Sequence, residues 1–324
     1  MKATLLQKII IGVEILVLFA VVLTFSLISL QGRRIPNKSS IDLSTFELSW
    51  SDEFDTLDTT KWKINNMDDD NNLRRAGYYH SEAVKVSDGN LIITTEYKDN
   101  AWWTGWVETS TAYGDFGSEN YEGFSTTYGY FEVRAIAPKA VGIWSAFWMM
   151  PDNNNSFSDN DEQFTATDGC EVDIMESPYL YLGDFVGNKV THVLHADSFT
   201  DNLKSSSSPT YYVEDMYSTF HRYGLEWNEN EMIFYIDGYE TWRTNFIYRD
   251  ADGKEHILNV PQVAEYLILS VEVAGTNENV AGNVKINEGL NLDGSAFWSG
   301  NPNKNNKDKS YDFVVDYVRV YKKK

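Results

Sequence analysis

The stretch Gly169-Cys170-Glu171-Val172-Asp173-Ile174-Met175-Glu176 sets three acids into an otherwise apolar, β-prone run. Side chains alternate faces along a strand, so Glu171 and Asp173 point one way while Cys170, Val172 and Ile174 point the other, into a core. Unbroken alternation would bring Met175, not Glu176, to the acidic face. One extra residue at Ile174-Met175, a β-bulge, restores Glu176 to that face, and bulges are common beside active sites because they re-aim a side chain. Carboxylates gathered without matching cations raise one another's pKa, which is costly in a structural strand and useful for acid/base work. The stretch reads as a strand carrying catalytic carboxylates.

Outward from it, strand-like runs recur at Ala83–Val86, Leu91–Thr95, Met232–Ile236 and Tyr266–Val273, with turn signals at Asp88-Gly89 and Asp237-Gly238. Long helical periodicity is absent after residue 31, and no internal repeat is visible. Many short strands joined by Gly and Asn turns indicate an all-β sandwich. Residues 152–163 form a polar, turn-rich loop before the acidic strand, at one end of a cleft or simply solvated. Asp68-Asp69-Asp70-Asn71-Asn72 lacks the Gly and distal Glu of an EF-hand loop.

Composition narrows the function. A formal charge of −21 argues against nucleic-acid binding, which needs clustered Lys and Arg. Aromatic residues make up 15% of the chain, with 10 Trp and 20 Tyr, enough to fill a β core and to stack on sugar faces. One Cys excludes an intramolecular disulfide, and with five His it gives no zinc-type cluster. Cys170 reads as a small buried hydrophobe.

The first residues are a separate element. Lys2 and Lys8 precede an apolar stretch from Ile9 to Leu30, long enough to span about 30 Å of hydrocarbon. Ser29-Leu30-Gln31-Gly32 is a poor signal-peptidase site, so residues 1–31 read as an uncleaved signal anchor in preference to a cleaved signal peptide. Residues 32–46 read as a linker, and residues 47–324 as one catalytic domain.

Further segments share a pattern: Tyr128-Gly129-Tyr130-Phe131-Glu132-Val133-Arg134-Ala135, Gly142-Ile143-Trp144-Ser145-Ala146-Phe147-Trp148-Met149-Met150-Pro151, and the terminal Val315-Asp316-Tyr317-Val318-Arg319-Val320-Tyr321. With the Glu171-to-Glu176 acids, their order and spacing resemble the signatures of glycoside hydrolase family 16 across residues 47–323. The resemblance implies a β-jelly roll with a concave sheet as substrate cleft. It also implies a retaining endo-glycosidase with Glu171 as nucleophile, Glu176 as general acid/base and Asp173 orienting Glu171. Trp144, Trp148 and His195 resemble cleft residues of that family, and Arg134 is a candidate substrate donor or a strand brace. Trp106, clustered with Trp102 and Trp103 in a segment whose polar neighbours suggest exposure, is a candidate outer subsite. A structural calcium held by Asp316, with backbone carbonyls of Glu53 and Gly89, is likewise implied, while catalysis needs no cofactor. Ser145 stands where Pro is usual, and Leu269-Ser270-Val271-Glu272 replaces an Asn-containing strand. The expected substrate is a β-1,3- or mixed-linkage glucan. A β-1,4-galactan of agar, porphyran or mucin type is the alternative, and a transglycosylase or a silent sugar-binding sandwich stands further off. The expected protein is a monomer on the outer face of the cell membrane, or a secreted one.

Overall fold

A computed structural model describes residues 13–21, 32–37, 39–66, 77–111, 120–152, 162–177, 180–181, 185–197, 203–274, 279–280, 283–284, 302 and 308–324. Twelve strands position the site: β1 (Phe46–Asp52), β2 (Asn90–Lys98), β3 (Trp106–Glu108), β4 (Gly129–Ile136), β5 (Ile143–Pro151), β6 (Glu171–Ser177), β7 (Lys189–Ala196), β8 (His221–Trp227), β9 (Met232–Ile236), β10 (Tyr239–Thr244), β11 (Glu265–Val273) and β12 (Ser310–Lys323). One sheet runs β7-β6-β5-β11-β3 and ends on Lys63–Ile64. The other runs β10-β9-β8-β4-β12-β2, continuing through Ala101–Thr104 to Gly77–Tyr79, with β1 also paired to β12. Pairing among the labelled strands is antiparallel.

The two sheets pack face to face because their strands alternate. Phe131, Val133 and Ala135 of β4 and Val315, Val318 and Val320 of β12 meet Phe147 and Met149 of β5, Val172 of β6 and Leu267, Leu269, Val271 and Val273 of β11 in one buried core. The run Tyr266–Val273 is buried along its whole length. It lies between β5 and β3, with its odd-numbered residues in the sandwich and its even-numbered ones beneath the cleft. The all-β sandwich expected from the sequence is thus observed, with two sheets of ten strands each among the described residues.

Residues 13–21 are helical, and their apolar side chains are exposed, Leu16 to 71%. Among the described residues no helix is long and apolar enough to cross a membrane. Most of the Ile9–Leu30 stretch expected to do so lies outside the described residues, as do Asp68–Asn72 and most of the 152–163 loop.

Candidate active site

The expected bulge is present. From β6 to β5, Glu176 pairs with Ala146 and Met175 with Phe147, but the next pair is Asp173 with Trp148. On the β7 side, Asp173 pairs with Val193 and Glu176 with Thr191. Ile174 is therefore the extra residue, and its side chain is buried in the core with those of Val172 and Met175. Glu171, Asp173 and Glu176 all reach one cleft, lined also by Trp144, Ala146, Trp148, Ser270 and Glu272. Asp173 is buried, whereas Glu171 and Glu176 are only partly buried. Gly169 turns the chain into β6 at φ +123°, against Pro151, where a Cβ would lie 2.4 Å from the proline Cβ; only glycine fits both demands.

His195 joins the acids. It pairs with Glu171 across β7, and its Nε2 lies 3.9 Å from Glu171 Oε1 and 3.8 Å from Asp173 Oδ2. Its Nδ1 lies 2.6 Å from Ser205 Oγ, which fixes the ring plane. Donor atoms of Glu171, Asp173 and His195 fall within 4.8 Å of one another, so these three could also face a cation.

Trp144 and Trp148 share the acidic face, as their four-residue spacing implies. Trp148 donates from Nε1 to Ser270 Oγ at 3.0 Å, and its ring meets that of Trp106 edge-on at 4.9 Å. Trp106 is buried at 7% exposure, not exposed by its polar neighbours as expected. Its Nε1 donates to Glu108 Oε2 at 2.6 Å, and Lys63 Nζ binds Glu108 Oε1 at 3.1 Å. Trp106 therefore props the cleft floor. Trp102 lies in the main core, and Trp103 faces out from the opposite sheet with Lys98 Nζ 4.1 Å from its ring centre.

Arg134 is not in the cleft. It lies on β4, between the core residues Val133 and Ala135, and points outward from the opposite sheet into an ion pair with Asp316. Its guanidinium also covers the Phe220 ring at 4.4 Å. It is the strand brace of the two alternatives. Asp316 is itself the bulged residue of β12, between the Arg134–Tyr317 and Ala135–Val315 pairs. The ends of β1 and β2 bring Glu53 and Gly89 beside this segment, as the calcium expectation requires. Yet Arg134 holds the Asp316 carboxylate, and Arg319 binds Glu53 through two hydrogen bonds of 2.9 and 2.8 Å. The one carboxylate that the calcium expectation calls on, Asp316, thus has a guanidinium partner, while the Glu53 side-chain pairing leaves the expected Glu53 backbone carbonyl untouched.

The sequence reading did not count Glu272 among the site residues. It pairs with Trp144 across β11 and is 5% exposed on the cleft wall. Its signal was legible: Ser270 and Glu272 are the polar positions of an otherwise apolar β-run, two apart and so on one face.

A cleft that presents a nucleophile-type carboxylate and a second carboxyl beside two tryptophans is the working surface of a two-carboxylate glycoside hydrolase. The family model of glycosyl hydrolases family 16 matches residues 75–288, and the chain belongs to that family. It is 27% identical to a β-glucanase of Rhodothermus marinus over 86% of this chain and 85% of that one. It is 29% identical to a keratan-sulfate endo-1,4-β-galactosidase of Sphingobacterium multivorum over 89% of this chain but 58% of that protein. Among solved structures, the fold matches a non-specific endo-β-1,3(4)-glucanase with TM-score 0.59 and 23% identity over 91% and 99% of the two chains. It matches the laminarinase catalytic domain of Thermotoga maritima with TM-score 0.59 and 24% identity over 86% and 98%. The protein is a glycoside hydrolase.

Proposed function

We propose that this protein cleaves internal bonds of a β-1,3- or mixed-linkage β-glucan by double displacement, with Glu171 as nucleophile and Glu176 as acid/base. The bulge at Ile174 carries the reading, because it turns Glu176 onto the face of Glu171 in a cleft that also holds Trp144 and Trp148. In the first step Glu171 attacks the anomeric carbon while Glu176 protonates the departing glycosidic oxygen. In the second, Glu176 takes a proton from water, which displaces Glu171 from the sugar. Esterification of Glu171 removes its negative charge, so Glu176 gives up its proton more readily in the second step than in the first. Asp173 and His195, beside Glu171, hold its carboxylate in line.

The substrate reading rests on the β-glucanase relative and on charge. Glu272 adds a fourth carboxylate to the cleft, where a sulfate or uronate next to the scissile bond would be repelled. The second reading is a β-1,4-galactan, favoured by the galactosidase relative and by Ser270 and Glu272 in place of an Asn-containing strand. The apolar stretch from Ile9 to Leu30 supports anchorage in the cell membrane with the domain outside, where polysaccharide is met. Hydrolysis of laminarin, lichenan, agarose and porphyran, with Glu171→Gln beside the native protein, tests these readings. Cleavage of laminarin or lichenan that Glu171→Gln abolishes is the expected outcome. Cleavage of agarose or porphyran alone would replace the glucan with the galactan, and full activity in Glu171→Gln would refute the nucleophile.

A further inference from the structure

His192 is fully buried inside the sandwich, three residues before the cleft histidine and on the opposite face of β7. Its ring stacks on Phe234 of β9 at 4.8 Å. Its Nδ1 lies 2.6 Å from the backbone carbonyl oxygen of Ile174, and its Nε2 lies 2.9 Å from Thr241 Oγ1 on β10. Ile174 is the extra residue of the bulge, and Thr241 belongs to the opposite sheet. One side chain thus ties the irregular turn of the catalytic strand to the far wall of the sandwich.

The protonation pattern follows from the partners. A carbonyl only accepts, so Nδ1 carries the hydrogen. Burial pushes the imidazole down to about 4, so the ring is neutral and Nε2 bears a lone pair. The Thr241 hydroxyl donates to the Phe234 carbonyl at 2.9 Å, and the Nε2 lone pair is a second acceptor beside the same hydroxyl. The result is a contact chain from Thr241 to His192, whose Nδ1–H donates to the Ile174 carbonyl. A carbonyl turned out of its ladder by a bulge needs such a donor, because an unpaired buried one costs free energy and lets the strand relax to regular pairing. Relaxation would rotate Glu176 away from the cleft while leaving Glu171, on the regular side of the bulge, in place.

We infer that His192 is a positioning residue: through the Ile174 carbonyl and with Thr241 behind it, it holds the bulge that aims Glu176 at the glycosidic oxygen. This rests on Glu176 being the acid, so the test separates the two. In the first step the bond from Glu171 Oε to the anomeric carbon forms as the bond to the leaving oxygen breaks, and the Glu176 proton passes to that oxygen. A phenyl leaving group needs this proton, whereas 2,4-dinitrophenolate departs without it.

The experiment measures kcat/KM of His192→Leu, Thr241→Val and Glu176→Gln on phenyl and 2,4-dinitrophenyl β-laminaribiosides, normalised to folded protein by circular dichroism. Glu176→Gln is expected to lose far more on the phenyl substrate than on the dinitrophenyl one. His192→Leu is expected to lose roughly 30- to 100-fold on the first and less than about threefold on the second, the scale of an ångström-sized misplacement. Thr241→Val should show the same asymmetry at smaller size, and it decides the matter should His192→Leu not fold. Equal losses on both substrates, or none, with Glu176→Gln still discriminating, would overturn the role of His192. Failure of Glu176→Gln to discriminate would overturn the acid assignment and this inference with it.

Discussion

Replacing Lys63 by Met tests how the cleft floor is held. Lys63 and Glu108 are almost fully buried, with side-chain exposures of 10% and 6% and a 3.1 Å contact. At an effective dielectric near 20 that contact is worth about 5 kcal/mol of Coulomb attraction. Removing Lys63 also removes its own desolvation cost, and Glu108 keeps two donors, Trp106 Nε1 at 2.6 Å and Asn65 Nδ2 at 3.2 Å. The net loss is therefore about 3 kcal/mol, the low end for a buried pair broken on one side. For a domain of this size that lowers the melting temperature by roughly 4–6 °C. Adding Glu108→Gln removes the stranded charge while leaving an acceptor for Trp106, so the double variant should recover at least half of the loss. Thermal unfolding followed by circular dichroism at pH 7 reads both. A shift under about 2 °C for Lys63→Met, or additive losses in the double variant, would show that the carboxylate does not depend on the lysine.

Three further outcomes are expected. Burial raises Glu265 well above the ordinary carboxylate range, while Cys170 N donates to its Oε1 at 3.1 Å. The native state thus holds a proton that the unfolded chain releases, and this contribution is whole below the ordinary glutamate pKa and is lost as pH rises toward the raised folded value. Glu265→Gln should therefore melt higher than the native protein at pH 8 and alike at pH 4; a variant that melts lower at pH 8 contradicts the sign. Glu272→Ala should lower kcat/KM on the neutral polysaccharide roughly tenfold, the scale of one charge-assisted hydrogen bond to a sugar hydroxyl, and reduce discrimination against sulfated glycans; unchanged kinetics would move Glu272 out of the binding surface. Because Arg134 occupies the carboxylate of Asp316, a chelator should move the melting temperature by less than about 1 °C. A larger fall, reversed by calcium, would restore the calcium expectation.

Alternation and one surplus residue are enough to place Glu171, Asp173 and Glu176 on one face from the sequence alone, because strand geometry has a period of two and tolerates little else. Trp144 and Trp148 followed for the same reason. Arg134 was harder: its motif gives a strand position, and only the sheet order says that the strand belongs to the far wall. Trp106 was misjudged by its polar neighbours in sequence, which do not report that Trp148 and Glu108 close over it. His192 carried no visible signal. Its role depends on which carbonyl the bulge leaves turned inward, and on a hydroxyl of β10 brought opposite by the packing of two sheets.

The surplus residue at Ile174 gives the active site a parity. Three positions separate Asp173 from Glu176, an odd count that on a regular strand means opposite faces, and the bulge changes odd into even. Side-chain replacements along β6 leave that count alone, so their effects on hydrolysis should be graded. Deleting Ile174 makes the count two, which a regular strand already keeps on one face, so Glu176 should stay at the cleft without a bulge; inserting a residue beside the retained bulge sends Glu176 into the core. In this strand the count of residues is itself heritable information about chemistry, separate from their identity.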